Sequence, residues 1–223
     1  MSDYYSSKLS AERLRLCYEL ASPRIRQFLN AEVDYILQKI KPNDFILELG
    51  CGYGRVLNKL GNKSVNVYGI DLSYESLKYG MEQFLSSDHF LLFQMNAQKL
   101  GFVSNQFDIV ICIQNGISAF GLNPQLLIQE ALRVTKPGGL MLFSSYSQKL
   151  WDERLRWFQA QAAMRLIGEI DYSRTGEGII ICKDGFKATT FSSLDFERIV
   201  MDIGLEFSIS EVDDSSIFCE INV

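Results

Sequence analysis

The sequence predicts a doubly wound α/β fold built on a mostly parallel sheet. Three observations point there. Short apolar runs alternate with helical segments from Phe45 to Ser144, the pattern of successive βαβ units. Those runs are apolar on both sides, as in strands covered on both faces. A turn carrying Gly50, Gly52 and Gly54 follows the first run directly, and in such sheets the carboxyl ends of the strands carry the ligand sites.

The elements follow in order. Residues 1–41 read as an N-terminal helical cap. "LSAERLRLCYELAS" places Leu9, Arg13, Leu16 and Leu20 along one side. "SPRIRQFLNAEVDYILQKI" opens on Ser22 as a cap with Pro23 at the first helical position. Its residues Ile25, Phe28, Leu29, Val33, Ile36 and Ile40 keep helical spacing. Residues 42–147 carry the strand candidates Phe45–Leu49, Val65–Ile70, Phe90–Gln94, Phe107–Ile113 and Gly139–Ser144. Helices are expected near Gly54–Leu60, Ser73–Leu85 and Pro124–Val134, the last with an Asn123-Pro124 start. Residues 148–190 read as an α+β insertion. A helix there aligns Trp151, Leu155, Phe158, Ala162 and Leu166, and "GEIDYSR", "GIIIC" and "GFKATT" suggest an antiparallel meander. Residues 191–223 give a capped helix ending on Gly204 and a terminal antiparallel hairpin around Asp213-Asp214. The whole is expected to be one domain.

Composition narrows the function. The chain has 223 residues, a net charge of −5 and 47% hydrophobic residues, ample for a large core and poorly suited to broad phosphate contact. DNA is therefore not expected as a partner. Five cysteines, Cys17, Cys51, Cys112, Cys182 and Cys219, are widely spaced and lack a C-x-x-C, so neither a disulfide framework nor a metal site is expected. Cys112 and Cys219 lie in apolar runs and read as buried thiols. "MSDYYSSKLS" has no signal pattern, and runs such as "FDIVICI" are too short to span a bilayer. A reducing cytoplasm, with no membrane contact, is the expected setting. The single histidine, His89, reads as a surface or strand-entry residue.

The glycine turn is the most informative stretch. Ordering three glycines is costly, so something requires bare backbone there. A Cβ at Gly50 or Gly52 is expected to obstruct a ligand lying against the chain, and Gly54 opens the next helix. The spacing G-x-G-x-G differs from the dinucleotide pattern G-x-G-x-x-G. Glu48 stands two residues ahead of the first glycine, where a carboxylate suits a cationic ligand group better than a pyrophosphate.

"ELGCGYG", Glu48 to Gly54, resembles motif I of the class I S-adenosylmethionine-dependent methyltransferases. "VYGIDLS" is similar to the family's second strand, which implies that Asp71, with Leu72 beside it, holds the ribose. "MNAQKLGF" resembles the segment after the third strand and implies that Asn96 and Ala97 meet the adenine, although Asn96 and Gly101 replace the usual Asp and Pro. "QFDIVICIQNGISAF" and "RVTKPGGLMLFSS" match the fourth strand and its exit, and the turn into the fifth strand. The match spans Phe45 to Ser145. It implies a Rossmann-like, seven-stranded sheet in the order 3-2-1-4-5-7-6, S-adenosyl-L-methionine as cofactor and S-adenosyl-L-homocysteine as product. Cys51, Arg55 and Gln114 join the implied cofactor set, Arg55 either meeting the cofactor carboxylate or facing solvent.

The expected reaction is methylation of a small-molecule N or O acceptor. A protein or RNA acceptor, or a non-catalytic sensor of the cofactor, stays open. Methyl transfer from a sulfonium is an in-line displacement that positioning and water exclusion accelerate, so no catalytic triad is required. "CIQNGISAF" faintly resembles small-amine N-methyltransferases, making Asn115 the candidate catalytic residue; it either holds an acceptor or simply turns the chain. Tyr18, Tyr146, Trp151, Tyr172 and Arg174 are candidate substrate contacts, and Arg174 would suit an acceptor carboxylate. The inserted helix either roofs the pocket or forms a dimer surface, so monomer and homodimer both remain open.

Overall fold

The structure is a computed structural model that describes residues 4–63, 66–83, 90–121 and 123–223. Expectations for Val65, Phe84, Leu85 and His89 lie outside these residues.

Three helices lead in: α1 (Tyr4–Lys8), α2 (Ala11–Glu19) and α3 (Pro23–Leu37). Ser22 caps α3, its hydroxyl accepting from the Ile25 N–H, with Pro23 at the first position. The alternation then runs β1 (Phe45–Leu49), α4 (Arg55–Leu60), β2 (Asn66–Asp71), α5 (Tyr74–Gln83), β3 (Phe90–Gln94) and β4 (Phe107–Cys112). After it come α6 (Gly116–Ala119), α7 (Pro124–Val134) and β5 (Thr135–Tyr146). Next are α8 (Trp151–Ala163), β6 (Ile179–Ile181), β7 (Lys187–Thr189), α9 (Ser193–Val200), β8 (Phe207–Val212) and β9 (Ser216–Asn222).

Seven strands form the main sheet in the order β3-β2-β1-β4-β5-β9-β8. Counting only its own strands along the chain, this is 3-2-1-4-5-7-6. Strands β1 to β5 run parallel, and β9 is antiparallel to both β5 and β8. Three residues join the paired Val212 and Ser216, with Asp213 and Asp214 at φ of 57° and 48° and the Ser215 N–H donating to the Val212 carbonyl at 3.1 Å, a left-handed pair that fits the right-handed twist of the hairpin.

Three local expectations are corrected. Strand β5 starts at Thr135, not Gly139: the Lys-Pro-Gly-Gly segment stays within it, with a register shift against β4 between Phe107 and Ile109. The expected three-stranded meander is a two-stranded β6–β7 hairpin with a single bridge from Ile170 to Cys182. Helix α8 buries Arg154, Trp157 and Gln161 beside Phe158, so its buried stripe is wider than the expected Trp151–Leu155–Phe158–Ala162–Leu166 line, of which Trp151, Leu155 and Ala162 pack half-buried against the same cluster.

Two apolar layers clamp the sheet. On one face α7 and α9 pack Leu127, Ile128, Ala131, Phe196 and Val200 onto Val110, Met141 and Phe143. On the other, α3 and α4 pack Val33, Ile36, Leu57 and Leu60 onto Ile46, Ile111 and Phe218. A third cluster lies off the sheet, where α2 and α3 meet α8 and the β6–β7 hairpin. All five cysteines are buried and unpaired.

Gly80 sets how closely α5 approaches the glycine turn. A Cβ there would stand 2.6 Å from the Tyr53 carbonyl oxygen, a backbone atom that cannot swing aside. Gly80→Ala is expected to lose about 1–3 kcal/mol of stability, read as a lower midpoint in urea unfolding. An unchanged midpoint would show that α5 has room to retreat.

Candidate functional site

The site lies beyond the carboxyl ends of β1, β2 and β4. After β1 the chain turns through Gly50, Gly52 and Gly54 at φ of 77°, 55° and 84°. These left-handed values strain any residue with a Cβ, so the turn itself demands glycine. A Cβ at Gly50 would stand 2.9 Å from the Phe120 ring, and one at Gly52 3.0 Å from Leu14. The bare backbone thus admits these two side chains, which line the cavity beside it.

The donors of the turn are already spent. The Gly50 and Cys51 N–H groups donate to the Ile70 carbonyl at 2.8 and 2.9 Å. The Gly52 N–H donates to Asp71 Oδ2 at 2.9 Å, and the Gly54 N–H to the Cys51 carbonyl at 2.9 Å. A pyrophosphate would find none of these four to bind. Two carboxylates stand there instead. Glu48 is 5% exposed, and its Oε2 has no hydrogen-bond partner among the described residues. Burial pushes its carboxyl up to about 8, with Arg55 opposing the rise and Asp71 adding to it. Asp71 ends β2, and its Oδ1 accepts from the Ser73 N–H at 2.7 Å.

Beyond β4 the chain exits through two left-handed residues, Gln114 at φ 56° and Asn115 at φ 63°. Such backbone persists only where its surroundings hold it. Here the Gln114 N–H donates to Glu32 Oε2 at 2.7 Å and to Ser144 Oγ at 2.9 Å. Glu32, fully buried on the apolar face of α3, has its carboxyl pushed by burial up to about 7, against that hydrogen bond. The Gln114 side chain accepts from Arg55, whose guanidinium sits 4.3 Å over the Tyr18 ring. Asn115 is oriented in turn: the Phe191 N–H donates to Ser145 Oγ at 2.8 Å, and Ser145 Oγ donates to Asn115 Oδ1 at 2.7 Å. The Asn115 NH2 group has no partner among the described residues.

A cavity of about 140 Å³ joins the two ends. Of the cofactor candidates expected from the sequence, Glu48, Gly50, Cys51, Gly52, Arg55, Asp71, Leu72 and Gln114 line it. Gly54, Asn96 and Ala97 do not. Asn96 is exposed, with its Oδ1 accepting from the Gln98 N–H, and Ala97 belongs to the core under α7. Among the acceptor candidates Tyr18, Asn115 and Tyr146 line the cavity. Trp151, Tyr172 and Arg174 are placed away from it: Trp151 borders a second hollow, Tyr172 is 64% exposed, and Arg174 is exposed in a turn. Sequence reasoning missed Gln161 and Phe186, which lie on the cavity wall together with Tyr5, Trp157 and Phe158. It also missed Glu32. The available signal was an acid interrupting the apolar stripe Phe28, Leu29, Val33, Ile36.

Residues 47–143 match the family model described as a methyltransferase domain. They cover β1 through most of β5, and so the whole glycine turn and the β4 exit. Over that stretch the chain is similar to the methyltransferase domain of S-adenosylmethionine-dependent enzymes. The curated relatives point the same way. The chain is 27% identical over 139 residues to a 2-methyl-6-phytyl-1,4-hydroquinone methyltransferase of Synechocystis, covering 57% of this chain and 42% of that protein. It is 28% identical over 130 residues to a ubiquinone biosynthesis O-methyltransferase of Hydrogenovibrio crunogenus, covering 56% and 52%. The chain thus spans about half the length of these relatives. A SAM-dependent methyltransferase structure from Methanosarcina mazei shares the fold, with a TM-score of 0.63 at 20% identity over 85% of this chain and 97% of that one.

S-adenosylmethionine is the cofactor of those enzymes, and the site here fits it. The orphaned Glu48 oxygen suits an ammonium, Arg55 is a cation on the same cavity wall, and Asp71 and Leu72 stand where β2 ends. The turn, with its donors spent and two acids at hand, matches a cationic ligand and not a polyphosphate. Among the described residues no helix is long and apolar enough to cross a membrane.

Proposed function

We propose that this protein transfers the methyl group of S-adenosylmethionine to a small-molecule acceptor through an N or O nucleophile. One observation carries the reading: the cavity that begins at Glu48 and Asp71 continues without a break to Asn115 and Tyr146 and ends under a roof from α1, α2, α8 and the β6–β7 hairpin. A covered site of this kind suits a small acceptor better than a polymer. The relatives named for quinone biosynthesis support the same class.

Bound S-adenosylmethionine supplies a methyl group whose C–S electron pair returns to sulfur as the acceptor's lone pair takes the carbon, the acceptor's proton passing to solvent. This chain supplies the rest. Glu48 and Arg55 hold the amino-acid end. Asp71 braces the Gly52 turn and faces the ribose side. Asn115, fixed by Ser145, offers its NH2 to the acceptor. The roof excludes water, so that alignment rather than a dedicated base supplies most of the acceleration. The five unpaired thiols suit a reducing cytoplasm.

The test is product formation. The purified protein is incubated with methyl-labelled S-adenosylmethionine and separate pools of small phenols, amines and carboxylic acids, a protein lysate, and total RNA. Label in a small-molecule pool is expected. Label only in protein or RNA contradicts the small acceptor. Tight cofactor binding without transfer to any pool makes the protein a sensor.

A further inference from the structure

The roof of the cavity is a continuous aromatic wall. Tyr18 meets Trp157 at 6.0 Å between ring centroids, Trp157 meets Phe158 at 5.7 Å, Phe158 meets Phe186 at 5.6 Å, and Phe186 meets Tyr5 at 6.0 Å. Four separate segments converge to build it, and all five rings line the cavity. Flat rings so arranged favour a flat guest, which gains edge and face contacts at little entropic cost.

Two polar groups on this wall differ in kind. The Trp157 indole N–H is spent on the Cys17 carbonyl at 2.8 Å. Gln161, one turn further along α8, is only 3% exposed and lines the cavity, yet its amide has no hydrogen-bond partner among the described residues. Its amide is not fully enclosed and keeps some accessible surface, on a residue that lines the cavity. A buried amide left unsatisfied is costly, and a guest that accepts and donates at that point removes the cost.

The charge behind the wall selects among flat guests. Arg154 is 1% exposed, and its hydrogen-bond partners are all neutral: the Gly178 and Ala188 carbonyls and the Thr190 hydroxyl. Its guanidinium lies 4.2 Å from the Tyr146 ring centroid and 5.6 Å from that of Phe158. It already engages the ring faces that an ammonium ion would seek, and no carboxylate among the described residues pairs with it. An ammonium guest meets like charge through a weakly screening wall. A hydroxyl whose oxygen turns negative meets the opposite sign.

Resting on the methyl-transfer reading above, we infer that the acceptor is a planar hydroxylated aromatic ring, not an ammonium-bearing amine, and that Gln161 is the residue that grips its polar edge. Asn115 then faces the ring from the floor, across from the roof amide.

The test uses the full chain saturated with S-adenosylhomocysteine and three probes: catechol, toluene and benzylammonium. Dissociation constants come from ligand-observed NMR titration. Catechol is expected to bind about tenfold more tightly than either of the others. Gln161→Leu should bring catechol to the level of toluene while leaving S-adenosylhomocysteine affinity unchanged, which also reports that the variant folds. Gln161→Glu places a carboxylate at the same point and should shift the preference toward benzylammonium. A wild type that prefers benzylammonium, or a folded Gln161→Leu that keeps its catechol affinity, overturns the inference. If S-adenosylhomocysteine itself fails to bind, the proposed function falls, and this inference with it; binding without a catechol preference overturns this inference alone.

Discussion

Asp71→Ala is expected to weaken S-adenosylmethionine binding by about 10- to 100-fold, the range for losing charge-assisted hydrogen bonds at a buried site. The carboxylate acts twice. It accepts from the Gly52 and Ser73 N–H groups, and so fixes the glycine turn against the start of α5. It also lines the cavity where β2 ends. Removing it loosens the turn and deletes an acid from the cationic ligand's surroundings. Asp71→Asn, which keeps one acceptor oxygen, should lose less. Calorimetric titration of each variant gives the affinities, with circular dichroism as the fold control. A folded Asp71→Ala with unchanged affinity would remove this residue from the cofactor site.

The second large effect concerns pH. Glu32 and Glu48 have carboxyls raised to about 7 and about 8 in the folded chain, from an ordinary 4.5, chiefly by burial. Between these limits the folded state binds more protons than the unfolded state. Stability from these two groups is therefore fully present below pH 4.5 and is lost as pH rises through 7 and 8. Asp108, Glu130, Glu211 and Asp213 are shifted down, so their stabilisation is present above their unfolded values and is lost as pH falls. That loss lies below the window of the raised pair. The ligand-free protein should thus melt on the order of 5 °C lower at pH 8.5 than at pH 5.5. Glu48→Gln should flatten the upper part of that profile. Saturating S-adenosylmethionine should flatten it as well, because a bound cation favours the ionised carboxylate. A melting temperature that rises steadily from pH 5.5 to 8.5 would contradict the burial of these two acids.

The parts of the fold that sequence made legible are those whose causes are local. Ser22-Pro23 and Asn123-Pro124 start helices because a side-chain cap and a proline act within one turn. Asp213-Asp214 marks a hairpin because its backbone demands two left-handed residues. The glycine turn was legible for the same reason, although the atoms its missing Cβ groups admit, Phe120 and Leu14, come from distant segments. What stayed hidden depends on tertiary partners. Arg154 and Gln161 stand outside the apolar line by which α8 was recognised, and only tertiary partners explain their burial: the β6–β7 hairpin and its flanks give Arg154 its acceptors, and the cavity takes Gln161. Glu32 is tolerated on an apolar stripe because the strained Gln114 N–H lies opposite it. Asn96 followed a motif in sequence, yet it closes its own turn on Gln98 at the surface. Arg174 looked like a carboxylate receptor because exposure in a turn cannot be read from one residue's charge.

The most direct measurement is calorimetric titration of the wild-type protein with S-adenosylmethionine, S-adenosylhomocysteine and NAD in parallel. The glycine turn has its N–H groups spent and two acids beside it, so the first two ligands should bind with micromolar affinity or better and NAD should not bind. NAD binding, or a folded protein that ignores both sulfur ligands, would contradict the account.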